Sequence, residues 1–288
     1  MTFALASHVA VVTVTYQSSG HIGEFLRSLA ASEPGGVRCV VVDNASRDAA
    51  LTKAIAAEHG VAVVELAENL GYGGAMNAGV ATLPADTWAV VIANPDVSVS
   101  PGAISSLVAA LEQSPDVGSV GPAILNPDGS VYPSARAIPS LGTGVGHALL
   151  ARLWPENPWS VAYRAERSAP AQRDAGWLSG AFVMVRRSAF EALNGFDERY
   201  FMYFEDVDLG YRLGRAGWRN MYVPAASVTH TGGHSTQSNS SRLLRVHHDS
   251  AYQFLRTRYA AWYFAPLRWA LRVGLFLRSH IGVRRLER

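Results

Sequence analysis

Three carboxylates, Glu205, Asp206 and Asp208, follow directly on the aromatic run Tyr200-Phe201-Met202-Tyr203-Phe204. Burial beside such a wall raises a carboxylate's pKa, and like charges nearby raise it further. A general base suited to the proton of an alcohol is made this way. Positions two apart on a helix do not share a face, so Asp206 and Asp208 are expected to point differently. One can then be catalytic while another caps the helix or binds an arginine. Solvated acids at a helix start, favoured by the dipole, are the plain alternative, and the aromatic wall weighs against it.

A second acid follows an apolar run. Trp88-Ala89-Val90-Val91-Ile92-Ala93 leads into Asn94-Pro95-Asp96, where Pro95 stops a strand and sets Asp96 at the mouth of a sheet. Mg²⁺ typically takes one or two carboxylates plus substrate phosphates, so a single well-placed Asp can serve. His230-Thr231-Gly232-Gly233-His234 adds imidazoles in a glycine loop able to close over phosphate. That histidine spacing alone does not identify a zinc site, and a turn Asp or a structural His is the bland reading of each.

Two further clusters suit a nucleotide. Thr15-Tyr16 and Asp43-Asn44-Ala45-Ser46 end two apolar runs, so both should lie at one sheet edge. Asp43 there can accept hydrogen bonds from a base or ribose, or merely shape a turn. Asn69-Leu70-Gly71-Tyr72-Gly73-Gly74-Ala75-Met76-Asn77 lets backbone approach an anion at a helix start. Its spacing is not that of the nicotinamide-cofactor fingerprint. No Gly-x-Ser-x-Gly nucleophile elbow is present.

Alternating strands and helices must position these groups. Strands are predicted at 8–15, 37–43, 61–66 and 88–93, and helices at 21–31, 48–59 and 71–82. A further helix should start with Pro101 at its first position and Ser100 as its cap. The pattern predicts an α/β fold with a mainly parallel central sheet and helices on both faces. Ligands bind outside the carboxyl ends of such strands. Regularity stops near residue 126, and 126–175 is irregular and rich in Pro, Gly, Ser and Trp. A strand near 181–186, a helix near 205–216 and a short strand at 220–224 follow, then helical segments from about 240. These divide the chain into a domain over 1–240, with a nucleotide-binding half to about 125 and an acceptor-binding half from about 126, and a helical extension over 241–288.

Composition narrows the class. The 288 residues are 49% hydrophobic with a net charge of +2, so no global charge argues for nucleic acid. The single cysteine, Cys39, sits in a strand-like run and reads as an inert core thiol. The first 23 residues lack a basic leader, and Pro266, Arg268 and Arg272 interrupt the apolar stretch Ala260 to Leu277. A cytoplasmic protein is expected. Arg256, Arg258, Arg268, Arg272, Arg278, Arg284, Arg285 and Arg288 alternate late in the chain with Trp262, Tyr263, Phe264, Trp269 and Phe276. Such a tail can lie in a membrane interface with its arginines on lipid phosphates. A homo-oligomer remains open.

Taken in order, Thr13-Val14-Thr15-Tyr16, Val42 to Ser46, Asn69 to Asn77, Asn94-Pro95-Asp96, Trp177-Leu178-Ser179-Gly180, Glu205-Asp206 and His230 resemble the inverting family-2 glycosyltransferases with a GT-A fold. The likeness runs to about residue 240, and its specificity lies in the ordered set. Asp128 to Arg136, Phe196 to Leu209 and Pro266 to Trp269 are similar to the actinobacterial cell-wall rhamnosyltransferases of that family. The resemblance implies dTDP-rhamnose as donor and decaprenyl-diphospho-N-acetylglucosamine, a polyprenyl-diphosphate-linked sugar, as acceptor. The product would be the linker between arabinogalactan and peptidoglycan, made at the inner face of the plasma membrane.

The resemblance also implies residue roles. Thr15, Tyr16 and Asp43 would hold the thymidine, and Asn69, Gly71 and Asn77 would shape the nucleotide and sugar pocket. Asp96 would ligate Mg²⁺ or Mn²⁺, with His230 on the same metal or the diphosphate. Asp206 would be the base, Glu205 its support or an acceptor contact, and Trp177 would line the acceptor side. The family often has aspartate where Asn94 stands, on the donor side; weaker metal affinity without nucleotide is then expected. The Gln-x-x-Arg-Trp motif of processive synthases is absent, implying addition of one sugar. Competing readings are another nucleotide-sugar donor or acceptor, and a non-catalytic sugar-nucleotide-binding protein.

Overall fold

The structure, a computed structural model, describes residues 8–140, 171–232 and 240–286. His234, and 141–170 of the irregular stretch, lie outside the described residues, as do the side chains beyond residue 275.

In chain order the elements are β1 (Val9–Thr15), α1 (Ser19–Ser32), β2 (Arg38–Asp43), α2 (Ala49–Glu58), β3 (Ala62–Glu65), α3 (Gly71–Ala81), β4 (Ala89–Ala93), β5 (Val97–Val99), α4 (Ala103–Gln113) and β6 (Val117–Leu125). Then come β7 (Val131–Tyr132), β8 (Ala135–Arg136), β9 (Arg173–Ala175), β10 (Trp177–Leu178), β11 (Phe182–Arg186), α5 (Arg187–Ala192), α6 (Glu205–Arg215) and β12 (Arg219–His230). The last are α7 (Ser240–Arg258), a 3-10 turn (Trp262–Phe264) and α8 (Ala265–Leu286).

Strands β3, β2, β1 and β4 run parallel. Their side chains are the β-branched, apolar ones that a sheet covered on both faces selects; all seven residues of β1 are buried. The sheet continues through β11, β6, β12 and β5. There β11 is antiparallel to both β4 and β6, while β12 is parallel to β6. Alternate residues feed two cores. Val9 and Val11 join Phe25, Leu29, Leu107 and Leu111 from α1 and α4. Val12 and Val14 join Met76, Phe190, Leu209 and Leu213 from α3, α5 and α6. A Cβ on Gly79 would lie 2.5 Å from Val12 and 2.6 Å from Val42, so a bare backbone is needed where α3 presses on the sheet. Burial holds the Cys39 thiol up at about 12, which keeps it unreactive.

Three expectations need correction. The helix expected from Pro101 begins at Ala103, because Gly102 adopts a left-handed φ of 70° and its N–H is held by the Ser32 carbonyl. Ser100 caps nothing with its side chain; its hydroxyl meets that of Ser227. The strand expected at 220–224 runs on to His230, through an irregularity between Val223 and Ser227.

The tail is docked on the body. Phe254 of α7 is 1% exposed and packs with Tyr200 and Val207, a burial of about 1.5–3 kcal/mol. Arg258 donates to the Pro139 carbonyl, and Arg268 donates to those of Tyr259 and Ala261. These two arginines, expected on lipid phosphates, are bound to the protein's own backbone. Among the described residues, no helix is long and apolar enough to cross a membrane.

Candidate active site

The carboxyl ends of β1 and β2 meet as expected, with Thr15 opposite Asp43. Asp43 is 1% exposed. Its Oδ2 accepts from the Thr15 hydroxyl at 3.2 Å and its Oδ1 from the Ser46 N–H at 2.8 Å. Both oxygens keep lone pairs for a ligand. Tyr16, 43% exposed, stands at the lip.

The glycine loop beside them is built by a residue without an expected role of its own. Asn44 donates to Asn69 Oδ1 at 3.0 Å and to the Gly71 carbonyl, and accepts from the Leu70 N–H. Asn69 Oδ1 also accepts from the Gly71 N–H. Gly71 has a φ of 76°, and a Cβ there would lie 2.2 Å from the Phe201 carbonyl oxygen. That carbonyl accepts from the Tyr72 N–H at 2.9 Å. Asn77 turns away from the loop. Its amide donates to the Phe196 carbonyl and accepts from the Phe196 N–H, both at 2.9 Å. Asn77 therefore contributes as a clamp between α3 and the segment leading to the acids.

Asn94, Asp96 and His230 come together. β12 ends against β5, with His230 opposite Val97, and Thr231 donates twice to the Asp96 carbonyl. His230 Nε2 lies 3.0 Å from Asp96 Oδ1 and 3.3 Å from Asn94 Nδ2. Burial alone would raise the Asp96 carboxyl, but the hydrogen bond and charge of His230 outweigh it and hold the pKa low. A carboxylate oxygen and an imidazole nitrogen this close fit a shared divalent cation. Among the described residues no three His, Cys, Asp or Glu side chains form a metal cage. Water and a ligand's phosphates would have to complete the shell, the usual habit of Mg²⁺.

The three acids separate as the helix periodicity requires. Asp208 pairs with Arg212 at 2.5 Å, and Arg212 also ties the carbonyls of Leu193 and Gly195; this acid is structural. Asp206 Oδ2 accepts from the Gly180 N–H at 2.9 Å and its Oδ1 from the Val207 N–H at 2.8 Å. Burial raises its pKa, against those hydrogen bonds and the charge of Arg136. Glu205 is pushed up to about 8 by burial and then by Asp206, and its Oε2 is buried without a partner. Two backbone N–H groups and the charge of Arg136 favour the ionised form at Asp206, whereas Glu205, raised to about 8, favours its proton at neutral pH.

Tyr203 and Phe204, directly before these acids, have φ of 68° and 66°. Such a conformation costs about 1–3 kcal/mol per non-glycine residue. Aromatic contacts with His247 and Phe254 hold it. Tyr72 binds the centre together: its hydroxyl donates to the Gly180 carbonyl at 2.7 Å. Its own pKa is raised by burial and by the negative charges of Glu205, Asp206 and Asp96, so it stands near both the helix-start acids and Asp96. Trp177 of β10 donates to the Ala137 carbonyl and lies opposite Arg136 of β8. Asn44, Tyr72, Gly180 and Arg136 are site residues that pattern reasoning did not single out. The first two lie inside motifs whose glycines and acids carry the recognisable signal.

A family model described as "Glycosyltransferase like family 2" matches residues 6–265. N-acetylglucosaminyl-diphospho-decaprenol L-rhamnosyltransferase of Mycobacterium tuberculosis (strain ATCC 25618 / H37Rv) is 48% identical over 284 residues, covering 95% of this chain and 92% of that protein. Rhamnosyltransferase WbbL of Escherichia coli (strain K12) is 46% identical over 79 residues, 27% of this chain and 30% of that protein. The mannosyltransferase PcManGT from Pyrobaculum calidifontis, solved with GDP-Man and Mn²⁺, superposes with a TM-score of 0.62 at 17% identity, over 98% of this chain and 73% of that one. The GT-A fold expected from the motifs is the fold found, and the chain belongs to the glycosyltransferase-like family 2.

Proposed function

We propose that this enzyme transfers L-rhamnose from dTDP-rhamnose to decaprenyl-diphospho-N-acetylglucosamine, giving the arabinogalactan–peptidoglycan linker. The observation that carries the reading is the identity of 48% to the mycobacterial rhamnosyltransferase, sustained over 95% of the chain.

The chemistry is an in-line displacement. Asp206 takes the proton of the acceptor hydroxyl as its oxygen bonds to the anomeric carbon. The bond from that carbon to the diphosphate oxygen breaks, its electron pair leaves with dTDP, and configuration inverts. Asp96 and His230 would hold Mg²⁺ or Mn²⁺, and such an ion would supply positive charge towards the departing diphosphate. Glu205, kept protonated, spares the site a second negative charge beside the base. Thr15, Tyr16 and Asp43 receive the nucleoside, the Asn69–Gly71 loop and Asn94 border the donor, and Trp177 faces the acceptor.

The same reading places the protein on the inner face of the plasma membrane. Trp262, Trp269 and Tyr263 are 84%, 70% and 63% exposed. Amphipathic rings of this kind favour a lipid–water boundary.

The test mixes purified protein, radiolabelled dTDP-rhamnose and a polyprenyl-diphospho-N-acetylglucosamine, with Mg²⁺ or with chelator. Chelator-sensitive label in the lipid phase is the expected result. No transfer, with UDP rather than dTDP raising the melting temperature, would sink the rhamnose assignment.

A further inference from the structure

Near Asp206 stands a guanidinium that makes no ion pair with any described residue. Arg136 Nε donates to the Pro133 carbonyl at 2.7 Å. The guanidinium carbon lies 5.5 Å from the ring centroid of Tyr132 and 5.7 Å from that of Trp177. Two rings and a carbonyl therefore fix the direction of the planar fork. Its Nη1 and Nη2 have no hydrogen-bond partner among the described residues, and none of the described carboxylates pairs with it. The nearby arginines differ: Arg173 donates through Nη2 to the Ala135 carbonyl, and Arg258 through Nη1 to that of Pro139.

An aimed, partly buried and unpaired guanidinium is a seat for an oxyanion, most of all for phosphate, which it grips through two parallel hydrogen bonds. We propose that Arg136 binds the diphosphate of the lipid-linked acceptor, a role that rests on the acceptor class proposed above.

Two observations place it on the acceptor rather than the donor. Arg136 lies opposite Trp177 in the two-stranded β8–β10 sheet, whereas Asp96 and His230 sit at the ends of β4 and β12 in the main sheet. Its charge also acts on Asp206, while the charges acting on Asp96 are those of His230 and His21. In a sugar diphosphate the attacked hydroxyl and the diphosphate belong to one ring. A base for the first and an anion seat for the second must then lie near one another, and Arg136 is close enough for its charge to act on Asp206.

The experiment titrates farnesyl diphosphate into the full chain saturated with dTDP and Mg²⁺, so that the donor's phosphate site is already filled. Wild type should bind. Arg136→Met, which keeps stem packing against the rings and removes the charge, should weaken farnesyl diphosphate about tenfold or more. Its dTDP affinity and melting temperature should stay unchanged, and Arg136→Lys should recover part of the loss. In turnover, Arg136→Met should raise KM for the lipid acceptor and leave KM for dTDP-rhamnose alone. Unchanged farnesyl diphosphate binding in Arg136→Met, no binding by wild type, or a parallel loss of dTDP affinity would each overturn the assignment. The titration needs no sugar transfer. Arg136-dependent binding with no rhamnose transfer would therefore keep Arg136 as the diphosphate seat and count only against the proposed transfer.

Discussion

Gly180 holds Asp206 by a backbone N–H donated to Oδ2 at 2.9 Å, while the carbonyl of the same glycine is held by the Tyr72 hydroxyl at 2.7 Å. Asp206, the proposed base, is thus tied through one residue, Gly180, to the start of α3. Asp206→Asn can keep the contact with Gly180 but cannot take a proton. Turnover should fall about a hundredfold to ten-thousandfold, with dTDP affinity by calorimetry unchanged. A variant that turns over at the wild-type rate would remove Asp206 from this role.

Glu205 predicts a pH signature. Its folded pKa of about 8 lies above the ordinary value of 4.5. Between these values the folded protein keeps a proton that the unfolded chain releases, so stability falls as pH rises, by up to about 1.4 kcal/mol per pH unit. Below 4.5 the penalty is absent, and above 8 it is fully developed. Glu205→Gln cannot ionise. Its stability relative to wild type should climb from pH 5 to pH 8 in urea melts at each pH. A flat difference would mean that Glu205 is charged in the folded protein.

For the cation, Asp96→Ala should weaken dTDP binding in the presence of Mn²⁺ by at least the roughly 10–100-fold that losing a partner behind a metal ligand costs. Binding measured in chelator should not change. His230→Ala should act in the same direction. Equal Mn²⁺ enhancement in wild type and Asp96→Ala would take the metal away from this carboxylate.

The exposed tail makes a separate prediction. Trp262→Ala combined with Trp269→Ala should release the protein from anionic phospholipid vesicles in co-sedimentation, because each ring loses roughly 1.5–3 kcal/mol of burial in the lipid boundary. The melting temperature should hold, since both rings face solvent. Undiminished sedimentation would mean that these rings do not enter lipid.

The parallel strands and their helices were legible because their signal is local. Val9–Thr15 is a mostly β-branched run and Ala89–Ala93 an unbroken apolar one, and each leads into the polar residues of the candidate site. Val117–Leu125 is equally buried, but Gly118, Gly121 and Pro122 hide it from any pattern. Nor does spacing reveal that β11 inserts antiparallel between β4 and β6, since pairing between distant strands is settled by their shared core. The left-handed Tyr203 and Phe204 are opaque for a similar reason, being held by α7 from far along the chain. The separation of Asp206 from Asp208 was readable from helix periodicity. The clamp made by Asn77 was not, because its partner Phe196 lies in another segment.

The interleaving of this sheet also constrains how the protein is made. A ribosome releases β4 long before β11, and β6 long before β12, although these are neighbours in the finished sheet. Until residue 186 has emerged, β4 presents five wholly apolar residues along an open edge. Such edges template aggregation. Nascent chains stalled in the irregular stretch after residue 125 would hold β4 in an uncapped state, and co-translational protection by a chaperone would matter most over that interval of synthesis.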